Sequence, residues 1–344
     1  MSTLQKKPAY VVAVVGATGA VGSEMIHLLE ERKFPVERLV PLASDRSMGR
    51  QVTFGGAELD VVALHPKALA SVDIALFSAG GSVSAEYAPM AAAAGTLVID
   101  NSSTFRMEPD VPLVVPEVNS ATAAGWRRRG MIANPNCSTI QLTVVLKPLH
   151  EAAGLTRVVV ATYQATSGAG GRAMDEMLAQ IRAVFAGEEP ENHIFPHPIA
   201  FNCLPQIDRF LDNGYTKEEW KVIEESKKIL GLPDLCVTAT AVRVPVFIGH
   251  SEAVNVSLER PLSADEARAF LRVAPGVIVE DDPATQTYPQ ARRVAGSDAV
   301  YVGRIRQDVS QPRGLDFWVV ADNLRKGAAL NAVQIAEIVT ARYL

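Results

Sequence analysis

The sequence predicts an α/β protein in two parts: a Rossmann-type, doubly wound domain, then an α+β domain built on a mixed sheet. Three observations lead there. Near the N-terminus a β-branched run ends in a glycine turn and is followed by an amphipathic segment. Through residue 134 short apolar runs alternate with alanine-rich helical stretches, the rhythm of a parallel sheet. Beyond it the strands lengthen and carry polar residues, as expected when helices cover only one face of a sheet. The predicted boundaries are 1–134 for the first domain and 135–322 for the second, with a terminal helix over 323–344 returning to complete the first.

Residues 10–15, Tyr-Val-Val-Ala-Val-Val, read as a strand buried on both faces. The strand runs into Gly16, Ala17, Thr18, Gly19, Ala20, Val21 and Gly22, and Met25, Ile26, Leu28 and Leu29 mark the apolar stripe of the next helix. Strand, glycine turn and helix form the order a dinucleotide pyrophosphate requires. Glycines let the backbone approach the phosphates, and a helix N-terminus faces their charge. Three glycines spaced by three are a variant of the usual fingerprint, so the position at the first strand-to-helix junction carries the inference. Gly16, Thr18, Gly19, Ala20, Val21 and Gly22 are the candidate cofactor contacts. The next strand, 39–43, leads into Ser44, Asp45, Arg46 and Ser47. A carboxylate there would accept from a ribose 2′-OH, whereas Ser and Arg donors would hold a 2′-phosphate. Ser44, Arg46 and Ser47 against the single Asp45 favour NADP, with a solvated turn as the plain reading of Asp45. Strands over 74–78 and 97–100 and a helix over 85–94 continue the alternation.

The second part opens on Asn134, Pro135, Asn136, Cys137, Ser138 and Thr139, a polar turn ahead of an apolar run at 140–146. This pattern predicts a loop entering a helix with Cys137 at its start, where the dipole favours thiolate. Burial as a small hydrophobe is the other reading of an unbridged cysteine. Strands are predicted over 157–164, 236–247 and 251–258, and helices over 173–185, 217–230 and 264–271, the last capped by Ser263. Gln164 leads into Ser167, Gly168, Ala169, Gly170 and Gly171, a loop able to approach a cofactor or a thioester closely. Arg243 offers a fork for a carboxylate and His250 an acid/base, although a lone histidine is more often structural. Arg106 follows Ser102, Ser103, Thr104 and Phe105, and has the geometry for a phosphate or a plain surface position.

Composition excludes several classes. With 33 Lys+Arg against 38 Asp+Glu the chain carries a formal charge of −5, which gives no general attraction to nucleic acid or anionic lipid. Arg127, Arg128 and Arg129 lie between Gly125 and Gly130 and read as a solvated turn. Three widely spaced cysteines suit a reducing cytoplasm and lack the close pairs of a zinc site, so no metal is expected. No targeting segment or membrane span is read.

The pieces 16–22, Arg46-Ser47, 102–106, 134–141, 164–168, 243–250 and 322–329 occur in order over nearly the whole chain, and together resemble aspartate-β-semialdehyde dehydrogenases. The resemblance implies NADPH-dependent reductive dephosphorylation of aspartyl 4-phosphate, in the route to lysine, methionine and threonine. By the same resemblance Cys137 forms a thioester, Gln164 orients the acyl group and His250 serves as acid/base. Arg243 would fork onto the substrate carboxylate, and Asn136 would lie beside the substrate. Glu225 would meet the amino group, while Arg106 and Lys228 would take the phosphate. Glu224 and Lys227 offer the same Glu-x-x-Lys spacing shifted by one. Ser167, Gly168 and Asn323 would reach the cofactor, and the resemblance further implies a homodimer or a dimer of dimers built through the second domain. N-acetyl-γ-glutamyl-phosphate reductase shares this logic but normally has glycine at the place of Asn136. A non-catalytic nucleotide-binding paralogue should have lost one of Cys137, Gln164, Arg243 and His250, and all four are present.

Overall fold

The computed structural model describes residues 4–344, which divide into two compact units, one of residues up to Asn136 plus Ala328–Leu344, the other Cys137–Gly327. The first contains, in order, β1 (Tyr10–Val15), α1 (Ala20–Glu31), β2 (Val36–Ala43), β3 (Gln51–Phe54), β4 (Ala57–Asp60), β5 (Val62–Ala63), α2 (Pro66–Leu69), β6 (Ile74–Phe77), α3 (Gly81–Ala93), β7 (Leu97–Asp100), α4 (Pro116–Asn119) and β8 (Met131–Ala133). Its six-stranded sheet has the order β5-β2-β1-β6-β7-β8 with every pairing parallel. Strands added outward from β1 in both directions make the sheet doubly wound, and leave β1 at the point where the order reverses. Val12, Val14, Met25, Leu28, Leu29, Ile74 and Leu76 form one buried cluster, so the apolar runs and stripe read from the sequence are the core.

The second unit contains α5 (Cys137–Ala153), β9 (Leu155–Gln164), α6 (Gly171–Ala186), α7 (Lys217–Leu230), β10 (Cys236–Arg243), β11 (His250–Leu258), α8 (Ala264–Arg272), β12 (Val277–Val279), α9 (Ala291–Val294), β13 (Val300–Gln307) and β14 (Gly314–Ala321). The sheet order is β10-β9-β11-β14-β13-β12, parallel at its two outer pairs and antiparallel between. The inner side of each strand is buried, whereas Tyr163 and Trp318, their rings tilted by 52° with centroids 5.4 Å apart, mark the partly exposed side. The last helix, α10 (Leu330–Arg342), belongs to the first unit, where its Leu330, Val333, Ile335 and Ala336 join the β1 and α1 core.

Two predicted elements are shorter in the structure. The strand at 236–247 stops at Arg243, because Pro245 has no N–H and pairing passes to Thr166, whose N–H donates to the Val246 carbonyl (2.8 Å). The terminal helix starts at Leu330 after a π-type turn, Arg325–Ala329. The Asp322 carboxylate accepts from the N–H groups of Leu324 and Arg325 and sets that turn. Arg127–Arg129 is more ordered than a solvated turn: Arg127 lies over the Trp126 ring at 4.5 Å and Arg129 pairs with Glu108 and Asp110. Among the described residues no helix is long and apolar enough to cross a membrane, and no cluster of His, Cys, Asp and Glu is arranged to hold a metal ion.

Candidate active site

In the first unit the glycine turn is shaped by its own crowding. Gly16 has φ +92°, and a Cβ there would lie 2.6 Å from the Ser78 carbonyl oxygen; one on Gly22 would lie 2.1 Å from the Gly16 oxygen. Only glycine allows β1, the turn and α1 to pack this closely. A Cβ on Gly19 would meet nothing nearer than 3.3 Å, and Gly19 caps α1 without a side-chain hydrogen bond. The concave backbone at a helix N-terminus, with no acidic residue in the first turn, suits a dinucleotide pyrophosphate. Thr18, Ala20 and Val21 belong to this turn, and the Thr18 hydroxyl meets the Ser47 hydroxyl at 3.0 Å. Ser44, Asp45 and Arg46 are exposed beyond the end of β2 and Ser47 is buried. Thus one contact joins the glycine turn to the loop expected to face the ribose.

The turn before Cys137 is held by buried amides. Asn134 donates to Asn101 Oδ1 (2.6 Å) and to the Ala328 carbonyl (3.1 Å), and accepts from Asn331 (2.7 Å). Arg106, also buried, donates through Nε to the Asn134 carbonyl (2.9 Å) and through Nη2 to the Asn101 carbonyl (2.8 Å). Asn136 is buried beside them in the sequence. Arg106 therefore orders this loop, a role the sequence did not reveal.

In the second unit Cys137 is the first residue of α5, is partly buried and takes no part in a disulfide. Three neighbouring strands deliver the other groups. In register, Arg243 on β10 lies opposite Gln164 on β9, and the Nδ1 of His250, first residue of β11, accepts from the Ala165 N–H (3.0 Å). All three side chains are buried. Gly168 fits against them: a Cβ there would come within 2.8 Å of Arg243 Nη1 and 3.2 Å of His250 Nε2. This explains the glycine without invoking a cofactor.

Burial, and then the charge of Arg243, push His250 down to about 3, with Glu218 opposing, so the imidazole is neutral at physiological pH. With Nδ1 accepting, the neutral tautomer carries its proton on Nε2, which is buried and has no partner. Arg243 is lowered by burial, while the charges of Glu218 and of the Cys137 sulfur pull it back up.

Glu218, near the start of α7, is the residue that sequence reasoning missed. Its carboxylate accepts from Gln164 Nε2 (3.3 Å) and pairs with Lys221 (3.0 Å). Burial weighs against the Lys221 charge, but Glu218 and then Asp208 outweigh it and raise the pKa. Glu225 and Lys228 repeat the same Glu-x-x-Lys pattern seven residues later, on the same helical face but about 10 Å further along the axis. Gln164 hydrogen-bonds to Glu218, which in turn pairs with Lys221, so this earlier pair is the one joined to the end of β9. The shifted alternative is a half-buried surface pair, Glu224–Lys227 at 3.0 Å. The same spacing stands at 218 and 221, but nothing local singles it out from the one at 225 and 228.

Ser167 and Asn323 bond to each other. Asn323 Nδ2 donates to the Ser167 hydroxyl (2.9 Å), and Asn323 Oδ1 accepts from the Gly249 N–H (2.9 Å), so Asn323 ties the loop after β9 to the turn before His250.

Comparison with known proteins places these features. Residues 11–126 match the family profile described as the semialdehyde dehydrogenase NAD binding domain, and 146–326 match the semialdehyde dehydrogenase dimerisation domain. The aspartate-semialdehyde dehydrogenase of Legionella pneumophila is 55% identical over 334 residues, covering 97% of this chain and 96% of the relative. The crystal structure of aspartate semialdehyde dehydrogenase II from Vibrio cholerae complexed with ASA superposes with a TM-score of 0.96 at 49% identity, covering 98% of this chain and all of the other. An aspartate semialdehyde dehydrogenase from Candida albicans, crystallised with NADP, has a TM-score of 0.77 at 27% identity over 97% of this chain and 99% of its own.

Proposed function

The chain belongs to the aspartate-semialdehyde dehydrogenase family, and on that premise we propose that it converts L-aspartyl 4-phosphate to L-aspartate 4-semialdehyde with NADPH, through a thioester on Cys137. The observation that carries the reading is the buried set of Gln164, Arg243, His250 and Glu218 in the unit that Cys137 begins.

The Cys137 thiolate attacks the acyl carbon, a C–S bond forms, and the C–O bond to phosphate breaks as inorganic phosphate leaves. NADPH, when bound, supplies the hydride that converts the thioester carbonyl to a thiohemiacetal oxyanion. Collapse of that species returns the sulfur as thiolate and releases the aldehyde. Each tetrahedral stage places negative charge on the former carbonyl oxygen. His250 Nε2–H is a buried donor without a partner, suited to meet that oxygen, and its neutrality makes it a hydrogen-bond donor first and a proton acceptor second. Gln164, held by Glu218 and Thr162, orients the acyl group. Arg243 takes the α-carboxylate and Glu218 the α-ammonium, an arrangement in which each buried charge gains a counter-charge on binding.

Arg106, with Asn136 beside it, is assigned to the phosphate. The turn 16–22 takes the pyrophosphate, and Ser44, Arg46 and Ser47 the 2′-phosphate. Asn323 and Ser167, whose side chains hold each other, support the nicotinamide end by fixing the Gly168 loop. The second unit, matching a dimerisation domain, supports a homodimer.

The test is NADP reduction by purified protein with aspartate semialdehyde, with and without inorganic phosphate. Phosphate-dependent reduction is the expected result. Reduction independent of phosphate, or faster turnover of N-acetylglutamate semialdehyde, would overturn the assignment.

A further inference from the structure

A fourth buried ionisable group, Glu252, lies two residues after His250 on β11 and so on the same face of the sheet. It is opposite Thr162 of β9, whose hydroxyl accepts from Gln164, and both Glu252 and Thr162 are fully buried. Neither oxygen of the Glu252 carboxyl makes a hydrogen bond of normal geometry. The side chain that acts on this carboxyl is Gln141, one helical turn after Cys137 on α5. Gln141 Nε2 donates to the His250 carbonyl (3.3 Å), and its Oε1 is a buried acceptor with no donor.

We propose that Glu252 is a positioning residue which, through the Gln141 amide, holds the His250 end of β11 in register with the Cys137 turn of α5. An ionised carboxylate brings only acceptors into a pocket whose remaining orphan, Gln141 Oε1, is itself an acceptor. A protonated carboxyl brings the missing O–H. Burial favours that form, raising the group well above the usual carboxylate range against the opposing pull of the Gln141 amide. The sequence of contacts is then Glu252 to Gln141, Gln141 to the His250 backbone, and Gln141 along its own helix to Cys137. It links the nucleophile and the oxyanion donor without touching substrate.

The inference rests on the thioester mechanism proposed above for the kinetic part of its test, but not for the spectroscopic part. Glu252→Gln keeps a neutral hydrogen-bonding group, and Glu252→Leu replaces the carboxyl by an apolar one of similar size. A merely structural carboxyl without partners would be replaced by Leu at no cost to folding or turnover. The expected result is kcat within twofold of wild type for Glu252→Gln and down about tenfold for Glu252→Leu, with KM within twofold and Tm unchanged or raised. Equal kcat in Glu252→Leu and wild type, or equal losses in both variants, would overturn the proposal. Infrared difference spectra between wild type and Glu252→Gln at neutral pH should show the carbonyl stretch of a protonated carboxylic acid. Carboxylate bands alone would overturn it as well, and this reading stands even where Glu252→Leu fails to fold. A wild-type enzyme inactive on aspartate semialdehyde would instead sink the function and leave the infrared result intact.

Discussion

The two units build their functional surfaces in opposite ways. In the first, a contiguous stretch of seven residues, 16–22, supplies from backbone the whole turn proposed for the cofactor phosphates, and glycine is required because a Cβ would strike Ser78 or Gly16 itself. In the second, side chains from α5, β9, β10, β11 and α7 converge, and residues as far apart as Gln164 and Glu218 share a hydrogen bond. Local geometry suffices for cradling phosphates, because N–H groups at a turn and a helix start all point one way. Acyl chemistry needs a nucleophile, an oxyanion donor and counter-charges in fixed relation, which no short segment can present.

The comparison breaks most sharply at Cys137. Cys137→Ser should lower turnover on the order of 10⁴-fold or more, as removal of a covalent nucleophile does, while NADPH binding stays within twofold. Steady-state rates and fluorescence titration measure the two sides, and retained turnover would show that the units do not divide the work as described. Gly22→Ala is the reciprocal case. Its Cβ would overlap the Gly16 oxygen and should destabilise the turn by about 1–3 kcal/mol. Cofactor affinity should then fall while the rate of Cys137 alkylation by iodoacetamide holds, and a change in the alkylation rate would argue against separable halves.

Arg46→Ala sharpens the comparison within the first unit. Losing one charge-assisted contact should reduce kcat/KM for NADPH about tenfold and leave NADH unaffected; equal losses with both cofactors would remove Arg46 from the 2′-phosphate.

The smallest effect concerns pH. His250 is depressed on folding, so its contribution is present above the unfolded value near 6.5 and lost as pH falls toward 3. Glu252 is raised, so it costs stability above its unfolded value of about 4.5 and the cost fades as pH falls. Between about pH 5 and 6.5 the two slopes oppose each other. Glu252→Gln removes one of them, and its stability should therefore fall by about 1.4 kcal/mol per pH unit more steeply than wild type on acidification. Urea titrations at pH 6.5 and 5 read the difference, and parallel slopes would show that Glu252 is ionised in the folded protein.

Much of the candidate site's placement was legible in the chain because its signals are local. Cys137 after a polar turn, Gln164 at a strand end and Arg243 and His250 around Pro245 each announce a position where an element stops and a side chain is delivered. Glu218 was not legible, since a carboxylate in the first turn of a helix reads equally well as a partner of the dipole, and the identical spacing at Glu225 competes with it. Arg106 read as a candidate phosphate ligand from its fork; its bonds to the Asn101 and Asn134 carbonyls, which also make it a brace for the loop that leads to Cys137, were not legible because those residues meet only in the fold.

Local order, the doubly wound plan, the glycine turn and the place of Cys137 at the start of a helix were set by residue patterns of short period, because backbone sterics and the alternation of apolar side chains act between near neighbours. Which glutamate joins Gln164, which nitrogen of His250 keeps its proton, and that the histidine is neutral were decided only when β9, β10, β11 and α7 were packed together. Burial and charge–charge terms depend on distances that the chain sets only once it is folded.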